Sequence, residues 1–405
     1  MPLFPRKIYP ALLEHLKSPN LTVIIGLRRT GKTTTLKYLM SQISSDNKLY
    51  IDFERLDNRD LFSFKNYDTI ANNLEQLGLS LNKKSNRAYL FLDDIQLVRN
   101  ISGALQYLTN HYGIKFIVTG SSSYYFETLF SGALSKRKKI FELTTLDFAE
   151  FLDFKQIPHK DDYNSSKLFS KKFNEIEYER LRGYYEEYIS FGAFPEVALV
   201  SKAEAKRDII FDILNSYIRI DVKTLADFRN PDNIEKLLKM LAQRVGEKLD
   251  YSKLSKLSGM SRETIKNYID FFEASYLISR VPVLATPNNA NREIIKAQKF
   301  YFSDNGFLSV LADSSNQSKF ENAIFTQLRD LGTLKYYQLK NGAKIDFILK
   351  SKTQTIALEV KETPLKQEGA KLEKLASFAK IKNSRLIGRL AVANFKNYIW
   401  GGEIR

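Results

Sequence analysis

The 405-residue chain contains no cysteine. That excludes disulfides, thiol nucleophiles, zinc ribbons and iron–sulfur centres. Its three histidines, His15, His111 and His159, lie far apart in sequence, so a histidine-rich metal site is not expected. Any metal would rest on carboxylates, which favours magnesium or manganese. No run of about 18 apolar residues occurs, so no membrane span is expected. The opening stretch MPLFPRKIYPALLEHL lacks the apolar core and small-residue cleavage site of a signal peptide, and a cytoplasmic location is expected. A hydrophobic content of 43% and a charged content of 27% argue against disordered and fibrous classes. Single cores stop growing near about 250 to 300 residues, so two or three domains are expected.

Acidic residues are outnumbered: the formal net charge is +16. A balance this basic suits a nucleic acid or another polyanion as partner. A lysine-rich surface inherited from genome composition gives the same number.

Val23-Ile24-Ile25 is a short apolar run of buried-strand type. It leads into Gly26-Leu27-Arg28-Arg29-Thr30-Gly31-Lys32-Thr33, which fits G-x-x-x-x-G-K-[ST] at every fixed position. Thr34-Thr35-Leu36-Lys37-Tyr38-Leu39 continues as a helix. Gly26 and Gly31 allow a tight turn whose N–H groups face phosphates, and the helix N-terminus adds partial positive charge. Lys32 would reach the β- and γ-phosphates of ATP, and the Thr33 hydroxyl would ligate Mg2+. Arg28, Arg29, Thr30 and Thr34 complete the candidate nucleotide-binding set.

A second apolar run, Ala88-Tyr89-Leu90-Phe91-Leu92, ends in Asp93-Asp94. Asp93 is the candidate magnesium holder, and Asp94 stands where a general base or water-positioning residue is expected. A third run, Lys115 to Val118, ends in Thr119-Gly120-Ser121-Ser122-Ser123. In a parallel sheet the C-terminal strand ends line the ligand crevice. Thr119 or Ser121 would then sense the γ-phosphate or hold the attacking water; a serine-rich turn is the plainer reading.

The motifs GLRRTGKTTTL, YLFLDDIQ and FIVTGSSS resemble those of a prokaryotic group of AAA-like P-loop ATPases. Leu134 to Arg137, Thr145 to Phe151 and Tyr188 to Glu196 match it as well. The resemblance covers nearly the whole chain and implies an ATPase with a C-terminal nuclease-like domain. Two departures stand out. The group has Asp-Glu where this chain has Asp93-Asp94, and the shorter side chain suits slow hydrolysis, as in a switch. Lys136 replaces the usual glycine before Arg137. Arg137 is a candidate arginine finger, acting in cis or from a neighbouring subunit of a homo-oligomer. The run Lys136 to Lys139 equally fits a solvated basic face.

Phe154 to Lys172 turns polar and reads as a loop or linker. Residues 173 to 226 show helical apolar spacing, including Ile209-Ile210, Ile213-Leu214 and Tyr217-Ile218, and are expected to form a connector or lid. In Asp250 to Val281, Leu254 and Leu257 share a helix face, Gly259 fits a turn, and Ser261 can cap a second helix. Ile265, Tyr268, Ile269 and Phe272 give that helix an apolar side, and Tyr276-Leu277-Ile278 leads into a wing. The spacing matches helix-turn-helix. Arg262, Glu263, Lys266 and Asn267 would face a DNA major groove, with Lys253 and Lys256 near phosphates. Such modules also serve as connectors.

Near the end, Ala343 to Leu349 and Thr355 to Lys361 are strand candidates after a turn at Asn341-Gly342. Alternation puts Glu359 and Lys361 on one face, with Asp346 beside them in a hairpin. An acid followed by E-x-K on the next strand resembles the PD-(D/E)xK nuclease site. There Asp346 and Glu359 would hold Mg2+, or Mn2+, against a phosphodiester, and Lys361 would activate water or stabilise developing charge. Glu321 matches the helix acid of many such sites, and Gln367 lies where some carry a further polar residue. Nuclease-like folds also persist as binding modules.

The expected architecture is α/β and multidomain. It comprises an AAA-like P-loop parallel-sheet core (1–155), a helical connector (156–230), a winged helix (231–290) and a restriction-endonuclease-like α/β domain (291–405). The expected function is an ATPase whose nucleotide state controls a DNA-directed, nuclease-like effector. The alternatives are an ATP-dependent DNA- or protein-binding switch without cleavage, and a scaffold that self-associates through its ATPase faces.

Overall fold

The computed structural model describes residues 4–82, 86–98, 101–121, 137–159, 173–222, 231–285, 298–391 and 397–404. Lys136, Ser122 and Ser123 lie outside them. The chain divides into two compact units.

The first unit, essentially residues 1–144, is built on five strands. They are β1 (Leu21–Ile25), β2 (Lys48–Asp52), β3 (Tyr89–Asp93), β4 (Lys115–Gly120) and β5 (Lys138–Glu142), in the order β2-β3-β4-β1-β5. Every pairing is parallel. Both faces are therefore covered, and the strands read as near-continuous apolar runs. Alternation sorts them. Val23, Ile25, Leu90, Leu92, Phe116 and Val118 pack with helices α4 (Tyr67–Gln76) and α5 (Ile101–Tyr112). Ile24, Phe91, Ile117 and Phe141 pack on the other face with α1 (Tyr9–Leu16) and α2 (Lys32–Ser41). A short α3 spans Leu56–Asp60.

The second unit opens with α6 (Phe148–Phe154), α7 (Glu175–Phe191), α8 (Pro195–Ala198) and α9 (Ala203–Ser216). Ile210, Ile213, Leu214 and Tyr217 are buried, as the helical spacing expected. Then come α10 (Pro231–Ala242), α11 (Tyr251–Ser258) and α12 (Arg262–Ala274). Gly259 ends α11 with φ 78°, and the Ser261 hydroxyl accepts from Thr264 N at 3.0 Å. Leu254 is buried, but Leu257 is 47% exposed, so the expected shared core face is only half realised. Antiparallel strands β6 (Ile278–Pro282) and β7 (Gln298–Phe302) follow, and Lys248 bridges to Lys299 on β7.

The last layer is a five-stranded sheet in the order β12-β11-β10-β9-β8. β8 (Thr333–Gln338), β9 (Lys344–Lys350) and β10 (Thr355–Lys361) are antiparallel; β11 (Asn383–Gly388) and β12 (Tyr398–Trp400) run parallel to β10. Between β7 and β8 lie α13 (Gly306–Leu311) and α14 (Asn316–Leu328), and α15 (Lys366–Phe378) crosses from β10 to β11. Among the described residues no helix is long and apolar enough to cross a membrane.

Candidate functional site

The phosphate loop joins β1 to α2. Gly26 has φ 150°, and a Cβ there would stand 2.2 Å from the Leu143 carbonyl oxygen, so only glycine fits. Gly31, with φ 98°, caps α2 without a side-chain bond. The first N–H groups of a helix have no partner in the preceding turn, which makes a helix start following a glycine loop suited to an anion. The buried Lys32 ammonium donates to the carbonyls of Gly26 and Leu27, each at 3.0 Å, which holds the loop closed around it. Thr30 donates to the Leu27 carbonyl at 2.9 Å. Thr33 and Thr34 are exposed at the helix start. Arg28 pairs with Glu54 at 3.2 Å, and Arg29 is exposed with φ 67°.

Register sets the acid beside the loop. Thr119 on β4 lies against Ile24, and Asp93 ends β3 next to Asp52. Asp93 is buried and accepts from the Tyr50 hydroxyl at 2.9 Å and from the Thr119 hydroxyl. Burial, then the charge of Asp93, pushes the Tyr50 phenol far above its ordinary value, so it remains a donor. The Thr119 oxygen also accepts from Asp94 N at 2.9 Å. Asp94 takes left-handed backbone at φ 56° and accepts from Gln96 Nε2 at 2.9 Å. That amide nitrogen lies 3.3 Å from the Ser121 hydroxyl. Thr33 and Asp93 present hard oxygen donors beside a phosphate cradle, and a magnesium ion carried by ATP fits that donor set.

Arg137 is placed elsewhere. It precedes β5, whose first residue pairs with Leu21 at the start of β1, and it donates to Asn110 Oδ1 at 3.0 Å. The loop lies at the opposite strand ends, about 16 Å away at ~3.3 Å per residue. This placement does not bring Arg137 to the loop of its own chain.

The C-terminal residues meet around β9 and β10. Leu358 pairs with Phe347, which puts Glu359 next to Asp346. Lys361 reaches Glu359 Oε1 at 2.9 Å, the same-face pair that alternation expects. Glu321 comes from α14, and its Oε1 accepts from the Tyr301 hydroxyl at 2.6 Å. Glu321 and Asp346 share an ammonium. The buried Lys299 ammonium stands between them, 3.0 Å from Glu321 Oε1 and 3.3 Å from Asp346 Oδ1. Lys344 adds a contact to Asp346 Oδ1 at 3.1 Å, and Asp346 Oδ2 accepts from Val360 N at 3.2 Å. Burial raises the Asp346 carboxyl, but the ammoniums of Lys299, Lys344 and Lys361 outweigh it, and the group is held low. Burial, then the charge of Asp346, lifts Glu359 to about 7. Among the described residues no group of three acids or histidines stands close enough to hold a metal. Asp346 and Glu359, expected to pair on one divalent ion, lie side by side: Lys299 and Lys344 engage Asp346 Oδ1, Lys361 engages Glu359 Oε1, and Glu359 Oε2 is buried without a hydrogen-bond partner among the described residues. Gln367 is exposed on α15.

Several contributors escaped the sequence reading. Arg6 donates to the carbonyls of Thr30 at 3.0 Å and Thr144 at 2.8 Å, bracing the loop. Tyr50, Lys299 and Tyr301 also carry no motif, and Gln96 lies in the YLFLDDIQ stretch without an assigned role. Each is recruited by a strand or turn distant in sequence, and only the hydroxyl or ammonium in an apolar strand hinted at a buried polar role.

Residues 18–152 match a family described as an AAA domain, and residues 182–318 match a domain of unknown function, DUF8612. Uncharacterized protein MJ1544 of Methanocaldococcus jannaschii is 29% identical over 384 residues, covering 91% of this chain and 81% of its own. An uncharacterized protein of Haemophilus influenzae is 24% identical over 363 residues, covering 86% and 84%. Among solved structures, the Walker-type ATPase PABY2304 of Pyrococcus abyssi aligns with a TM-score of 0.45 at 15% identity, over 76% of this chain and 96% of its own. The phosphate loop, the acid-ended strand and the five-stranded parallel sheet accord with the AAA-domain match over residues 18–152.

Proposed function

We propose that the chain is an ATP-hydrolysing switch whose nucleotide state governs a DNA-directed second unit. The observation that carries this reading is the convergence of Lys32, Thr33, Asp93 and Thr119 at one edge of the parallel sheet. Asp94, tied to Gln96, would position the attacking water once ATP draws it from that bond. Arg137 could act only on the loop of a neighbouring subunit. The winged-helix reading of residues 231–290 rests on the order of α10, α11 and α12, the Ser261 cap and the strand β6 that follows. Arg262, Glu263, Lys266 and Asn267 are exposed on α12, and Lys253 and Lys256 on α11, as a DNA-facing surface needs.

The last sheet supports a nuclease-like fold through its strand order and its Asp346, Glu359 and Lys361 placement. A second reading, binding without cleavage, is favoured by the Lys299 ammonium among the acids. The test is DNA affinity of the full chain with ATP, ADP or no nucleotide, for wild type and Lys32→Ala. Affinity that changes between ATP and ADP in wild type, and not in Lys32→Ala, supports the switch. Affinity indifferent to nucleotide in wild type contradicts it.

A further inference from the structure

Lys299 comes from β7, whereas the acids it meets come from α14 and β9, and it is as buried as they are. An ammonium has three donors. Here each has an oxygen: Glu321 Oε1 at 3.0 Å, Asp346 Oδ1 at 3.3 Å and the Tyr301 hydroxyl at 3.4 Å. The strand cannot easily release it. Gly246 N bonds the Phe300 carbonyl at 3.0 Å, Leu249 N bonds the Gln298 carbonyl at 2.8 Å, and β6 pairs along the other edge. Gly246 also stands against Glu321, so close that a Cβ would lie 3.1 Å from Oε1.

Charge closes the account. Glu321 and Asp346 contribute two negative charges, and Lys299 and Lys344 contribute two positive ones within 3.3 Å. Glu359 gives Oε1 to Lys361, and its buried Oε2, without a hydrogen-bond partner among the described residues, is a single oxygen where a divalent ion needs several. A divalent ion needs oxygens left negative and unpaired. It would also have to enter within a few ångströms of the buried Lys299 ammonium, which stands 3.0 Å from Glu321 Oε1 and 3.3 Å from Asp346 Oδ1.

We propose that Lys299 is the resident cation of this acid cluster, occupying the position that a divalent metal would need, so that the C-terminal site binds no Mg2+ or Mn2+ and performs no metal-dependent cleavage. This sharpens the second reading above and is independent of whether ATP is hydrolysed.

The test is a Mn2+ titration of the nucleotide-free full chain, reading free Mn2+ by electron paramagnetic resonance. Wild type and Asp346→Asn are expected to give the same curve. Lys299→Met removes the charge at similar volume and should gain one Mn2+ site, which the Lys299→Met/Asp346→Asn double variant loses. The same ion should raise the melting temperature of Lys299→Met while moving that of wild type by less than about 1 °C. Mn2+ binding by wild type that Asp346→Asn abolishes overturns the proposal, as does a folded Lys299→Met chain that gains no site. Should Lys299→Met fail to fold, the comparison of wild type with Asp346→Asn decides the question alone.

Discussion

Lys32 turns its ammonium onto two carbonyls of its own loop, whereas Lys299 sits between two carboxylates. On the proposed function the first would exchange carbonyls for phosphate oxygens; the second already has an oxygen for each of its three donors. Thr119 is the smallest part with two jobs, since its hydroxyl donates to Asp93 and accepts from Asp94 N. Thr119→Val keeps the shape and removes both bonds. It should cost about 1–3 kcal/mol, read by urea unfolding, and slow ATP turnover; unchanged stability would argue against this bridge. His15 offers a pH test. It bonds Thr22 Oγ1 at 2.8 Å, and burial, then Lys115 and Lys139, lowers its pKa from 6.5 to about 4. The depressed value means the unfolded chain binds the proton first. Stability from this group is therefore complete above pH 6.5 and lost as pH falls toward 4. His15→Gln should flatten melting temperature against pH in that window, and an unaltered slope would contradict the assignment.

At the scale of elements, local chemistry made much of the molecule legible. The loop motif between a strand and a helix, the Asp93 strand end, the Ser261 cap, the Asn341-Gly342 turn and the Glu359–Lys361 face all follow from short-range rules, and the structure realises them. Lys299 was illegible because its partners lie on elements that sequence does not connect to it, and a strand lysine reads as solvent-facing until the strand is covered. Leu257 failed for the opposite reason: its helix position was right, but among the described residues it stays 47% exposed. The resemblance of Gly192-Ala193-Phe194-Pro195-Glu196 to a family motif acquires a physical cause. Gly192 has φ 72°, and a Cβ would lie 1.7 Å from Asp304 Oδ1. The same carboxylate accepts from Ala193 N at 2.9 Å and Gly306 N at 2.7 Å. Gly192→Ala should therefore cost on the order of 2–4 kcal/mol, measured by chemical denaturation, through strain and displacement of this carboxylate. A midpoint equal to wild type would show that the turn relaxes freely.

For the whole molecule, the net charge of +16 suits a polyanionic partner, or a merely lysine-rich surface, and does not say which surface would meet it. If α12 faces DNA, Lys266→Ala should weaken binding similarly across sequences and lower the salt slope of log affinity by about 1. An unchanged slope would move the contact elsewhere. Whether the molecule is a switch at all depends on its first unit, and so the most direct measurement is steady-state ATP turnover with Mg2+ for wild type, Lys32→Ala and Asp93→Asn. Wild type should hydrolyse ATP, and each variant should lose about 100-fold or more. A wild-type rate no faster than buffer, or a Lys32→Ala rate equal to wild type, would contradict the account.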